Sequence, residues 1–289
     1  MPRPDDDRRG WSPRAIRKRE SIQYLKDAVA ADRLTVLYQP IVDARTARPA
    51  AAEALLRWRR PRRETHTLTD LLAAAERSPV IYALERWVVE ACGAAAGAWQ
   101  IGPRSELRVN VNLSAREFEG TRLPARLPPR LADCLRRSRL DPALVTLELT
   151  ETSAINPAVA HPIIEGLRRE GFQVWLDDFG TGHSSLEWLL RLPVDGLKIP
   201  ATFVRELPGN GRAAAIAAAV LDLAHHLGLR VAAEGVERED QREWLVQAGC
   251  DQLQGYLFYT AMAASVLTRR LGLTEGAAAA ARPSGRLQR

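Results

Sequence analysis

The chain has 289 residues, of which 46% are hydrophobic and 26% charged, enough apolar material for one core of barrel size or two smaller ones. It lacks the run of roughly 18 apolar residues that a membrane span needs and the apolar stretch of a secretory signal, and Cys92, Cys134 and Cys250 are too few and too far apart for a disulfide framework or a cysteine zinc site. The net charge of +6 is spelled almost entirely in arginines scattered among acids and alanines, a solvated surface rather than a DNA or RNA face, so a cytoplasmic protein with reduced, buried thiols is expected.

Residues 1–14 are charged and punctuated by Pro2, Pro4 and Pro13, and read as a disordered basic tail. A helix is predicted over 15–33, with Ile16, Ile22, Leu25 and Ala28 on one face. Strand-like apolar runs then recur eight times, at 35–42, 52–58, 107–114, 144–151, 172–180, 195–199, 230–236 and 251–258. Between most of them lie segments with helical spacing, such as "RAAAIAAAVLDLAHHLG" and "EREDQREWLVQAG", each closing on a glycine as helix C-termini do. Eight alternating units predict an α/β fold, a (β/α)8 barrel of the TIM type, in a single domain over 15–272 followed by a flexible tail over 273–289. One link departs from the pattern: "DARTARPAA" is too short for a parallel crossover, so the first strand must run antiparallel to the second.

Barrel chemistry gathers at the C-terminal ends of the strands, and this chain places its polar residues there. They are Glu53 and Arg57 on the second strand, Asn112 and Ser114 on the third, Glu148 and Glu151 on the fourth, Asp177 and Asp178 on the fifth, Lys198 on the sixth, Glu234 and Glu237 on the seventh, and Gln254 on the eighth. Any one acid alone would read as a helix cap or a solvated side chain. Seven acids at equivalent points of successive repeats do not. Carboxylates with one carboxamide oxygen are hard ligands suited to Mg2+ or Mn2+, and adjacent Asp177 and Asp178 permit two ions sharing a carboxylate, an arrangement that neutralises a phosphoryl group and activates water. Lys198, one of only three lysines, would position that water. His161, His183, His225 and His226 have no metal-ligand spacing, and the tryptophans read as core.

"YQPIVD", "EALLRW", "VNLSAREF", "LELTET", "DDFGTGHSSLEWLLRLPVDGLK", "AAEGVE" and "GCDQLQGYLF", in this order, resemble the EAL-domain cyclic di-GMP phosphodiesterases over about residues 20 to 270. The resemblance implies a barrel with one antiparallel strand, hydrolysis of cyclic di-GMP to linear pGpG, and two ions of Mg2+ or Mn2+. Glu53, Asn112, Glu148 and Asp177 would hold one metal, and Asp177, Asp178 and Glu234 the other. Lys198 and Gln254 would order the attacking water, Glu151 and Glu237 would complete the catalytic set by anchoring the loop "DFGTGHSS", and Gln39 and Arg57 would contact the ligand. A homodimer coupled to that loop is implied as well; the composition gives no reason to expect a nucleic-acid or membrane partner. The chain departs from the family pattern at His183, at Ala261, in the segment 67–80, and at Pro200, which stands two residues after the lysine where the family has an aspartate. Pro200 raises an alternative, a catalytically weak or inactive cyclic di-GMP receptor with the same fold; a protein-interaction module that has lost the ligand is the third reading.

Overall fold

The structure, a computed structural model, describes Gln23 and residues 33–59, 67–76, 78, 80–99, 107–114, 118, 127–138, 140–150, 155–182 and 185–272. Both expected tails, 1–14 and 273–289, lie outside the described residues, as does the predicted helix at 15–33 apart from Gln23 and Arg33.

Eight strands close into a barrel in chain order: β1 (Leu34–Asp43), β2 (Pro49–Trp58), β3 (Arg108–Leu113), β4 (Val145–Thr150), β5 (Gln173–Asp177), β6 (Gly196–Ile199), β7 (Arg230–Ala233) and β8 (Gln252–Leu253). β1 is antiparallel to both its neighbours, β2 and β8, and every other pairing is parallel. The predicted short connection is therefore a hairpin. Its turn is held by Asp43, whose Oδ1 accepts from the backbone N–H and the hydroxyl of Thr46, each at 2.8 Å.

The helices are α1 (Leu68–Glu76), α2 (Val80–Trp99), α3 (Leu127–Arg137), α4 (Pro157–Arg169), α5 (Ser185–Arg191), α6 (Ala201–Val204), α7 (Gly211–His226), α8 (Glu239–Gln247) and α9 (Ala264–Arg270). Asn156 caps α4 with Pro157 at its first position, and Asn210 caps α7 by accepting from the N–H groups of Arg212 and Ala213 at 3.0 and 3.3 Å. Gly228 and Gly249 follow α7 and α8 at φ 73° and 85°, the left-handed conformation that ends a helix without a Cβ clash.

The outward residues of the strands pack under this helical layer: Val109 and Val111 of β3, Leu147 and Leu149 of β4, Leu197 of β6 and Leu253 of β8 are all buried. Each such side chain contributes about 1.5–3 kcal/mol by leaving water. Trp99 and Trp188 are core residues as expected; Trp99 donates to the Thr268 hydroxyl at 2.9 Å and meets the Tyr38 ring edge-on at 5.0 Å. All three cysteines are free and buried. Among the described residues no helix is long and apolar enough to cross a membrane.

The later strands are shorter than their apolar runs. β8 covers two residues rather than the eight of 251–258, because the backbone leaves the sheet after Leu253 and bonds instead to the β7 loop, through Val236 N–H to Gln254 O and Leu257 N–H to Val236 O. Gly255 is required there, since a Cβ would strike the Val236 backbone. The consequence is functional. The residues just past β7 and β8 line the mouth of the barrel instead of continuing the wall.

Candidate functional site

Inward-facing residues of β2, β4 and β5, with Glu234 just past β7, meet around one ammonium on β6. Lys198 on β6 is completely buried, and its Nζ lies 3.4 Å from Glu53 Oε2, 3.1 Å from Glu148 Oε1 and 3.3 Å from Asp177 Oδ1, and contacts Glu234 Oε1. Burial opposes the ammonium, but Glu148, Glu53, Glu234 and Asp177 outweigh it and hold the Lys198 pKa well above its ordinary value. Two carboxamides lock Glu53: Gln254 Nε2 donates to Oε2 at 2.7 Å and Asn112 Nδ2 to Oε1 at 3.2 Å. Burial pushes Glu53 upward, yet Lys198 and these two donors overcome it, so its pKa is lowered. Glu148 behaves oppositely. Burial, reinforced by Glu53, Asp177 and Glu234, lifts it well above the carboxylate range against the pull of Lys198.

Consecutive residues of a strand point to opposite faces, so Asp177 and Asp178 should diverge. They do not, because Asp178 adopts φ 52°, a left-handed conformation that Asp tolerates better than most residues. Its N–H donates back to Asp177 Oδ1 at 3.0 Å, and the turn is closed by Thr181, whose hydroxyl donates to Asp178 O at 2.8 Å. Asp177, Asp178 and Glu234 thereby offer one oxygen each, all within 4.8 Å of one another. That span fits one cation with metal–oxygen distances of about 2.0–2.6 Å. Burial raises Asp178, with Asp177 adding to the shift, and burial raises Glu234 to about 7 despite Lys198. Five acidic side chains crowd one ammonium, and the upward shifts of Glu148, Asp178 and Glu234 express a surplus of negative charge that a divalent cation would offset. Glu148 Oε2 is moreover a fully buried oxygen with no hydrogen-bond partner among the described residues. The donor set and the charge fit divalent cations.

A family model for the EAL domain matches residues 22–261. The chain belongs to the EAL domain family. It is 37% identical over 252 residues to the bifunctional diguanylate cyclase/cyclic di-GMP phosphodiesterase MucR of Pseudomonas aeruginosa, covering 86% of this chain and 36% of that protein. It is 34% identical over 246 residues to the cyclic di-GMP phosphodiesterase PdeR of Escherichia coli, covering 85% of this chain and 36% of that protein. The chain thus spans about a third of the length of these curated relatives. Among solved structures it is similar to the PaMucR phosphodiesterase in complex with c-di-GMP, with 36% identity and a TM-score of 0.77 over 86% of this chain and 99% of that one.

This EAL domain brings together eight of the residues expected from sequence: Glu53, Asn112, Glu148, Asp177, Asp178, Lys198, Glu234 and Gln254. Gln39 and Glu237 line the same cavity, of about 350 Å3, and Tyr256 stands exposed at its rim. Gln39 Nε2 donates to Tyr259 O at 3.1 Å. Arg57 lies in an adjoining cavity of about 510 Å3 that also contains Asn112, and the two cavities share Leu55. Glu151 and His183 lie outside the described residues. His161, His225 and His226 are on the surface, each bonded to a neighbouring backbone or carboxylate oxygen, and form no metal cluster among the described residues.

Two buried amides were not anticipated. Gln241 on α8 accepts at Oε1 from the N–H groups of Glu237 and Arg238 at 2.9 and 3.0 Å and donates to Val204 O at 3.0 Å, tying the Glu237 loop to α6. Asn110 donates to Glu148 Oε1 at 2.8 Å from inside the barrel. The second was detectable, because a period of two through "RVNVNLS" places Asn110 on the same face as Asn112. Nothing in the local sequence marks Gln241.

Proposed function

We propose that the protein is a metal-dependent phosphodiesterase that hydrolyses cyclic di-GMP to linear pGpG with Mg2+ or Mn2+. The carrying observation is the convergence of Glu53, Asn112, Glu148, Asp177, Asp178 and Glu234 on Lys198 and Gln254 at one end of the barrel. Glu53, Asn112, Glu148 and Asp177 would hold one ion, and Asp177, Asp178 and Glu234 the second. The chemistry that such a pair supplies is neutralisation of phosphoryl charge and a lowered pKa of water.

The chain's own residues orient that reaction. Gln254 has its Nε2 committed to Glu53 and its buried Oε1 without a partner among the described residues, so Oε1 is the acceptor that orders the attacking water. Lys198 supplies the facing positive charge. Arg57 forms charge-assisted bonds to a phosphate oxygen and Gln39 contacts the nucleotide, while Glu151 and Glu237 anchor the "DFGTGHSS" loop. Purified protein incubated with cyclic di-GMP and either metal should yield pGpG on chromatography. Binding without turnover would leave the receptor reading, and no binding would leave the interaction module. The proposal includes a cytoplasmic homodimer with a single domain over 15–272 and no nucleic-acid or membrane partner. Exposed Leu186 and Leu190 on α5, directly after the loop, support the dimer, which light scattering checks.

The receptor reading is favoured by one residue, Pro200. It is buried at the N-cap of α6 with φ −69° and ψ 154°, offers no side-chain cap, and uses its carbonyl to accept from Phe203 N–H at 3.0 Å. It therefore fits its backbone without strain but presents no carboxylate near Lys198. Pro200→Asp is expected to raise kcat about 10-fold or more with little change in ligand affinity, the scale on which outer partners of a metal site act. Steady-state kinetics and a melting curve separate two roles. A higher melting midpoint at unchanged kcat would mean that an aspartate here serves only as a helix cap.

A further inference from the structure

The register of β3 crosses two asparagines with two glutamates. Asn110 lies opposite Glu53 of β2 yet donates Nδ2 to Glu148 Oε1 of β4, at 2.8 Å. Asn112 lies opposite Glu148 yet donates Nδ2 to Glu53 Oε1, at 3.2 Å. Asn110 is 3% exposed and Glu148 is 0%, so their bond is shielded from water. Glu148 Oε1 is also 3.1 Å from Lys198 Nζ. Two donors thus share one carboxylate oxygen and leave Oε2 without a partner among the described residues.

We infer that Asn110 is a positioning residue that holds the Glu148 carboxylate by Oε1, keeps Oε2 available to a divalent cation, and so sets the metal affinity of the site. The inference rests on the proposed reading of Glu148 as a metal-binding residue. An amide suits the position because it donates without adding charge, whereas an aspartate would bring a further carboxylate into a cluster already short of positive charge. Asn112 cannot substitute, since its Nδ2 is committed to Glu53 one pleat nearer the mouth. The Asn110 carbonyl oxygen has no hydrogen-bond partner among the described residues, so the polar role of this side chain is the single bond to Glu148.

The test is calorimetric titration of the chelator-treated full chain with Mn2+, accompanied by melting curves and by steady-state hydrolysis of cyclic di-GMP. Asn110→Leu keeps the size of the side chain and removes the donor, and is expected to weaken Mn2+ binding about 10–100-fold while KM at saturating Mn2+ stays unchanged. Asn110→Thr, which retains a hydroxyl donor, should recover part of that affinity. Unchanged Mn2+ affinity in the leucine variant, or equal weakening in both variants alongside equal losses of thermal stability, would mark Asn110 as a packing residue and overturn the inference. If Asn110→Leu does not fold, Asn110→Ala replaces it under the same two criteria. Wild-type protein that binds Mn2+ without hydrolysing would sink the phosphodiesterase reading while the same affinity shift still supported the role of Asn110. Wild-type protein that binds no Mn2+ would sink both.

Discussion

Asp177→Asn is expected to reduce cyclic di-GMP hydrolysis on the order of 10³-fold, or about 4 kcal/mol in the barrier, and to weaken Mn2+ binding as well. Asp177 ends β5 with Oδ1 3.3 Å from Lys198 Nζ, accepts from the Asp178 N–H, and belongs to the oxygen cluster with Asp178 and Glu234. In the proposed site it would serve both ions, so one substitution removes a ligand charge that each of them would use. Asparagine preserves the shape, which keeps the β5 turn intact and makes the comparison one of charge. Glu237→Gln is the contrast. Glu237 lines the cavity without belonging to that oxygen cluster, and its loss should cost no more than about 10–100-fold. Single-turnover kinetics and Mn2+ titration of the two variants give the ordering. Near-normal hydrolysis by Asp177→Asn at saturating Mn2+ would contradict the shared-ligand assignment.

Lys198→Met should be the most destabilising substitution in the site when metal is withheld. The ammonium is wholly buried and touches four carboxylates, and removing one partner of a buried ionic network costs about 3–5 kcal/mol because the remaining charges lose compensation. Methionine fills similar space, so the loss reports charge rather than a cavity. Urea unfolding of the chelated protein should show the full deficit, and saturating Mn2+ should restore most of it by binding only the folded chain. Turnover should not return with stability, because in the proposed site that ammonium would face the attacking water. An unchanged urea midpoint would show instead that the acids neutralise themselves by taking up protons.

Much of the architecture was legible along the chain. The eight apolar runs became eight strands, and the nine residues of "DARTARPAA" correctly required an antiparallel β1, because chain length alone forbids a crossover there. The helix ends at Gly228 and Gly249 were readable for a comparable reason, since they depend on one residue type in one backbone conformation. Strand ends were read less well. The 251–258 run keeps apolar residues to its end, at Tyr256, Leu257 and Phe258, but its second half is held by Val236 of another loop.

The sequence by itself determined which side chains reach the mouth of the barrel, since alternation and strand polarity place Glu53, Asn112, Glu148, Asp177, Lys198 and Glu234 there once the fold is a barrel. Only the tertiary structure decided how they meet. Asp178 joins Asp177 through a left-handed φ of 52° that strand alternation would not predict, and Asn110 serves Glu148 rather than its register partner Glu53. The physical reason is the same in both cases. A side chain's face follows from local periodicity, but its partner depends on backbone torsions past the strand end and on how neighbouring tilted strands are offset, which are properties of the closed barrel as a whole.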